Sequence, residues 1–330
     1  MSTLAPTLQA YFSDRLIRQR QASPQTIAAY RSSLRLLLVF AEAHTGKPPF
    51  RLDLAELDAP LIGAFLAHLE TQRGNSIRTR NARLAAIHSL FRYAAARHPE
   101  DAAVIQRVLA IPPKRFDRTL VTFLTHAEVD ALLTASDQTT WTGRRDRALL
   151  ALACQTGLRA SELTALTIGD VHLGTGAHVS CLGKGRRQRI TPLTASTVRL
   201  LRSWLAERRG LPADVVFPTR RGTRLSHDAL ARLVAKHAAV AALSCPSLRN
   251  KRVTPHVTRH SAAMALVSAG VDAATLALWL GHQSLTTTSV YVHADLALKE
   301  RALARTAPHG ALAERRYRPS DALLAFLDSL

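Results

Sequence analysis

The sequence predicts a mainly α chain in two domains, the second an α+β domain carrying a small β-hairpin. Three observations predict it. Apolar residues recur at helical spacing through residues 4–98. A basic, proline-bearing stretch, IPPKRFDRTL, then interrupts that pattern. Further on, residues 177–193 (AHVSCLGKGRRQRITPL) switch to strand-like alternation about a Gly-Lys-Gly turn before helical spacing returns.

In the first domain, residues 1–98, a helix over 24–43 places Ile27, Tyr30, Leu34, Leu37 and Leu38 on one face. Ser23 followed by Pro24 supplies its cap and first turn. A second helix is expected over 60–72, with Gly74 at the break that follows. The third runs over 76–97, with Leu84, Ile87, Leu90, Phe91 and Ala94 inward and Arg78, Arg80, Arg83 and Arg92 on the other face. Residues 99–120 read as an interdomain linker that includes Lys114 and Arg115.

The second domain, residues 121–308, opens on a capping box, Thr125 with Glu128 three residues on. Helices are expected over 145–156, 194–209, 226–242, 256–269, 272–280 and 294–305, with the hairpin between the first two. Residues 309–330 form a C-terminal tail or helix ending in the apolar segment SDALLAFLDSL.

The charge balance narrows the function. Lys and Arg number 44 against 24 Asp and Glu, a net charge of +20 and a pI near 11.2. Such a field attracts polyanions, nucleic acid above all. Arginine dominates it: only six of the 44 basic residues are lysines, and arginine's planar fork grips phosphate in two places at once. Aromatics make up 5%, too few for the stacking platforms of single-strand binders. Three scattered cysteines form neither a disulfide framework nor a metal pattern. The N-terminal MSTLAPTLQAYFSDR lacks a signal core, and no apolar run is long enough to span a bilayer. A cytoplasmic protein with no membrane partner is expected.

Four islands in the second domain carry chemistry. In TGLRASELTAL (residues 156–166), Gly157 permits a tight turn, Arg159 sits at that turn, and Glu162 follows three residues later. At the hairpin tip, Lys184 stands between two glycines and is followed by Arg186 and Arg187. In HVTRHSAAMAL (residues 256–266), His256 and Arg259 share a face near a helix N-terminus, a favourable place for an anion. His256 and His260 also stand four apart, as zinc ligands do, but Val257 occupies the position where a metalloprotease helix needs Glu. No metal is expected. In LWLGHQSLTTTSVYVHADL (residues 278–296), His282 follows a Leu-Gly helix end and Tyr291 comes nine residues later.

Taken singly, each island has an ordinary structural reading. Their order and spacing together resemble the tyrosine recombinase (phage integrase) family, over about residues 121–306. The family shows an Arg in a TGxRxxEL corner, a hairpin Lys, an HxxRH helix, an LGH turn and a Tyr nine positions beyond. IRTRNARLAAIHSLFRYAA is similar to the helical core-binding (SAM-like) domain of integrases, and ALKERALART to the branch carried by bacterial transposons. One departure is Thr258, where many members carry a larger apolar residue.

The resemblance implies a site-specific recombinase that breaks and rejoins duplex DNA for integration, excision or transposition. Arg159 and Arg259 would clamp the scissile phosphate, His282 would add a hydrogen bond, Tyr291 would attack, His256 would take its proton and Lys184 would protonate the leaving 5′ oxygen. Glu162 would buttress Arg259 or His256, and His260 would support or simply pack. Because a 3′-phosphotyrosyl bond conserves the energy of the broken diester, the reaction needs no cofactor. The family acts as four protomers on two sites, sometimes with sister recombinases or accessory proteins, and the tail could dock on its own domain or on a neighbour. Arg78, Arg80, Arg83, Lys114, Arg115, Arg186 and Arg187 are the expected DNA contacts. The competing readings are a catalytically silent DNA-binding accessory protein of the same fold, a type IB-like topoisomerase and a basic RNA-binding protein.

Overall fold

The computed structural model describes residues 4–116, 121–182 and 188–281. The chain divides into two compact units, Met1–Arg118 and Thr119–Leu330. No described helix is long and apolar enough to cross a membrane.

The first unit is helical among its described residues. Helix α1 (Leu4–Ala10) continues into a π-type stretch, Tyr11–Gln19, and is followed by α2 (Pro24–Thr45), α3 (Ala59–Thr71) and α4 (Ile77–Ala95). Each of the three longer helices opens on a side-chain cap: Ser23 accepts from the Thr26 amide, Asp58 from Leu61 and Ser76 from Thr79. Their apolar faces meet in one core around Leu34, Leu37, Phe65, Leu84, Ile87 and Phe91.

The expected linker begins too early. Residues 102–109 form a further helix, α5 (Ala102–Leu109), which buries Ile105 and Val108 in the same core. His88 on α4 bonds the Val108 carbonyl at 3.0 Å. Two apolar residues three apart are enough to seat so short a helix, and the flanking prolines obscure that pattern. Residues beyond it also lie along α4. Arg80 donates to the Pro112 carbonyl at 3.3 Å, and the Asn81 side chain both donates to the Lys114 carbonyl and accepts from its amide.

The second unit surrounds α7 (Trp141–Thr156), buried along most of its length and packed against α9 (Ala195–Arg208) and α11 (Pro255–Ser268). Helices α6 (His126–Thr134) and α10 (His227–Ser244) pack beside it, and the short α8 (Ala160–Ala165) follows the α7 corner. The expected Thr125–Glu128 capping box forms: Thr125 Oγ1 accepts from the Glu128 amide, and Glu128 Oε2 from the Thr125 amide.

The expected hairpin is present as β2 (His178–Leu182) and β3 (Gln188–Pro192). A two-residue strand, β1 (Val171–His172), extends it to a three-stranded antiparallel sheet in the order β1-β2-β3. Register pairs Val179 with Thr191 and Cys181 with Arg189. Val179, Cys181 and Thr191 are buried, so the alternation of a strand places Arg189 on the inward face with them. The described chain closes with α12 (Ala273–Leu280) and Gly281. The hairpin tip, the helix expected over 294–305 and the tail over 309–330 lie outside the described residues.

Candidate active site

Helix α7 ends where Gly157 turns left-handed, at φ 63°. A Cβ there would come within 2.8 Å of Leu280 Cδ2 and 3.2 Å of Ala262 Cβ. Glycine therefore lets the α7–α8 corner lie tight against α11 and α12. The corner holds Arg159 at the N-cap of α8, and Arg259 rises near the start of α11, whose own cap is Thr254.

These two arginines, 100 residues apart in sequence, converge on the end of α12. Arg259 Nη2 donates to the Leu280 carbonyl at 2.7 Å, and Arg159 Nη2 donates to the next carbonyl, Gly281, at 2.9 Å. Arg259 Nη1 also donates to the Gly157 carbonyl. The carbonyl end of a helix carries partial negative charge and so favours cations. Arg259 is only 3% exposed, whereas the Arg159 side chain keeps 30% of its surface open.

Glu162 lies beneath Arg159 and is almost wholly buried, with a side chain 4% exposed. Its carboxylate accepts from Arg159 Nη1 (2.9 Å) and the Arg159 amide (2.7 Å), and from Arg189 Nη1 (3.1 Å) and Nη2 (2.8 Å). Burial pushes this carboxyl upward. The Arg189 bonds, the Arg159 amide bond and the adjacent positive charge outweigh it, holding Glu162 below the usual carboxylate range. The expectation that Glu162 buttresses Arg259 or His256 is thus corrected, because its oxygens are taken by Arg159 and Arg189. Sequence reasoning missed Arg189. The available signal was an arginine two residues before Thr191, on the inward side of a strand.

His256 is exposed and His260 half-buried. Their rings meet edge to face with centroids 4.2 Å apart.

A phage integrase family model matches residues 122–297, more than half of the chain and all four islands. The chain belongs to the phage integrase family of tyrosine recombinases. An N-terminal SAM-like phage integrase model matches residues 9–98. This recombinase is 55% identical to "Putative integrase/recombinase y4rC" of Sinorhizobium fredii, covering 100% of this chain and 99% of that one. It is 34% identical to the tyrosine recombinase XerC of Pelobacter propionicus, over 84% of this chain and 87% of the relative. Among solved structures it resembles the XerH site-specific recombinase bound to palindromic difH substrate, with 25% identity and a TM-score of 0.66, covering 87% of this chain and 82% of that one. The mostly helical fold with a small antiparallel sheet is thus that of a site-specific tyrosine recombinase.

Of the residues expected at the recombinase's site, the structure brings together Arg159, Glu162 and Arg259. Lys184, Arg186, Arg187, His282 and Tyr291 lie outside the described residues. The expected DNA contacts of the first unit divide. Arg78 and Arg115 are exposed, and Arg78 lies over the Phe116 ring at 5.3 Å. Lys114 is exposed but paired with Glu70 at 2.6 Å. Arg83 is half-buried, its Nε and Nη1 lacking a hydrogen-bond acceptor, and burial together with nearby Arg73 lowers its pKa. Arg80 is corrected: it is only 7% exposed and tied to Asn81 and the Pro112 carbonyl, so it holds the end of the first unit in place.

The buried cysteines offer no rival nucleophile. Burial pushes the Cys154 thiol up to about 12 and also raises Cys181.

Proposed function

We propose that this recombinase cleaves and rejoins duplex DNA through a 3′-phosphotyrosyl intermediate on Tyr291. The observation that carries the reading is the seating of Arg159 and Arg259 on consecutive carbonyls, Leu280 and Gly281. In the sequence His282 follows at once and Tyr291 nine residues later. A phosphodiester in attack gathers negative charge on its non-bridging oxygens, and two guanidinium groups fixed side by side are suited to stabilise it.

In the proposed step, Tyr291 Oη bonds to phosphorus as the bond from phosphorus to the 5′ oxygen breaks. His256 takes the phenol proton and Lys184 supplies one to the leaving oxygen, since a phenol of ordinary pKa near 10 needs a base at neutral pH. His282 adds a hydrogen bond to the phosphate, Glu162 orients Arg159, and His260 supports its neighbour on α11. Arg78, Arg83, Arg115, Arg186 and Arg187 make backbone contacts, with Lys114 joining them once released from Glu70. Double-stranded DNA is the partner, met by four protomers on two sites, with accessory proteins or sister recombinases as further partners.

A nicked duplex built from inverted repeats flanking the coding region tests the proposal, because loss of the short 5′-hydroxyl strand traps the adduct. Wild-type protein should form a covalent complex that Tyr291→Phe cannot form, at nearly unchanged DNA affinity. An adduct persisting in Tyr291→Phe would remove that tyrosine from the reaction. DNA binding with no adduct from any duplex would favour the silent accessory protein.

A further inference from the structure

We infer that Arg189 is a positioning residue for phosphate activation, keeping Arg159 both fixed and electrostatically available. The inference rests on the phosphodiester chemistry proposed above. Arg159 is paired with a buried carboxylate, Glu162. By itself such a pair carries no net charge, and the carboxylate offsets part of the pull that the more exposed guanidinium exerts on a DNA phosphate. Arg189 changes that balance. It grips the same carboxylate with both Nη atoms, at 3.1 and 2.8 Å, from a side chain only 10% exposed. Two cations then share one anion, and the trio carries one net positive charge.

The geometry adds a second effect. Every bond into Glu162 from Arg159 and Arg189 lies between 2.7 and 3.1 Å, so the carboxylate cannot turn to pair with Arg159 alone. Arg189 also passes close under the α12 end: a Cβ on Gly281 would lie 2.7 Å from its Nη1. Gly281 is the residue whose carbonyl receives Arg159. One side chain on β3 therefore braces both supports of the Arg159 guanidinium, its carboxylate and its carbonyl seat. Because β3 is paired with β2 and Glu162 lies on α8, the same contact ties the strand pair to the helix that Arg159 caps.

The rival role is a staple joining the sheet to α8, which affects folding alone. Arg189→Met and Arg189→Lys separate the two when assayed as full-length protein on paired suicide duplexes. One duplex carries the native phosphodiester, the other a methylphosphonate at the scissile position, which has one negative charge fewer. Arg189→Met should bind DNA normally and cleave the diester about 10- to 100-fold more slowly, less than the loss from removing a direct phosphate donor. On the methylphosphonate its deficit should shrink to a few-fold, because there is less charge to stabilise. Arg189→Lys, which keeps the charge and loses the fork, should recover most of the rate on the diester. It also serves as the reporter if the Met variant does not fold. Equal deficits on the two substrates in either variant, wild-type cleavage of the diester by Arg189→Met, or an Arg189→Lys as slow on the diester as Arg189→Met, would overturn the role of Arg189. Failure of wild-type protein to form an adduct would instead overturn the recombination chemistry itself.

Discussion

On α4, Arg78 and Arg92 stand exposed on a solvated helix face, whereas in the second unit Arg159, Arg189 and Arg259 are fastened to carbonyls and a carboxylate. The same side chain thus works under two regimes. An exposed arginine loses rotamer freedom when it grips a phosphate, so each such grip contributes modestly and tolerates displacement along the backbone. A seated arginine has lost that freedom already, on folding, and its donors are oriented before substrate arrives. The first regime suits affinity and the second suits rate.

Removing a seated arginine should give the largest effect. Arg159→Ala and Arg259→Ala should each cut the rate of covalent adduct formation by about 3–4 kcal/mol of barrier, a few hundred- to thousandfold. Affinity for the same duplex by gel shift should barely change, and a parallel fall in affinity would erase the distinction between the regimes. Gly157→Ala attacks the seat itself. The left-handed φ and the 2.8 Å approach to Leu280 Cδ2 should cost about 1–3 kcal/mol in thermal unfolding, with slowed cleavage alongside.

Acid should loosen the seated group by a smaller amount. Glu162 titrates below its ordinary value in the folded protein, so its stabilising contribution is complete above the unfolded pKa, about 4.3. It disappears as pH falls through the lower folded pKa. Glu128, which burial raises but Lys251, Ser247 and the Thr125 amide draw lower, behaves alike. Melting temperature should therefore drop on acidification below about pH 4, and Glu162→Gln should flatten part of that slope. The smallest effect belongs to α4. Arg78→Ala or Arg92→Ala should weaken binding to all duplexes evenly and lower the slope of log affinity against log salt by about 0.9 for each phosphate no longer neutralised. Cleavage of saturated complexes should be unchanged.

What the sequence revealed follows the range of the interactions concerned. Ser23, Ser76 and Thr125 announce their helices because a cap and its amide lie three residues apart. Arg159 and Arg259 were legible from spacing within a family pattern. Their carbonyl seats were not, because the acceptors lie 122 and 21 residues away in sequence. The same distance hid the buried Arg145–Asp146–His237 network, in which Asp146 accepts from Arg145 and meets His237 at 2.8 Å. Arg80 went the other way: its helical face was read correctly, but only the returning chain at Pro112 shows that the position is covered. Residues 102–109 were lost between prolines because eight residues carry too little periodicity to stand against them.

The acceptors at 280 and 281 are main-chain atoms. No substitution can delete a peptide oxygen, so mutation can only shift these anchor points. Replacement at 280 leaves an oxygen available, while 281 is restricted by its left-handed backbone and by the nearby Arg189 Nη1. The anchor points of such a phosphate grip therefore tolerate drift in the side chain at 280 and yield mainly to changes that bend the chain, whereas the arginines seated on them have no such tolerance.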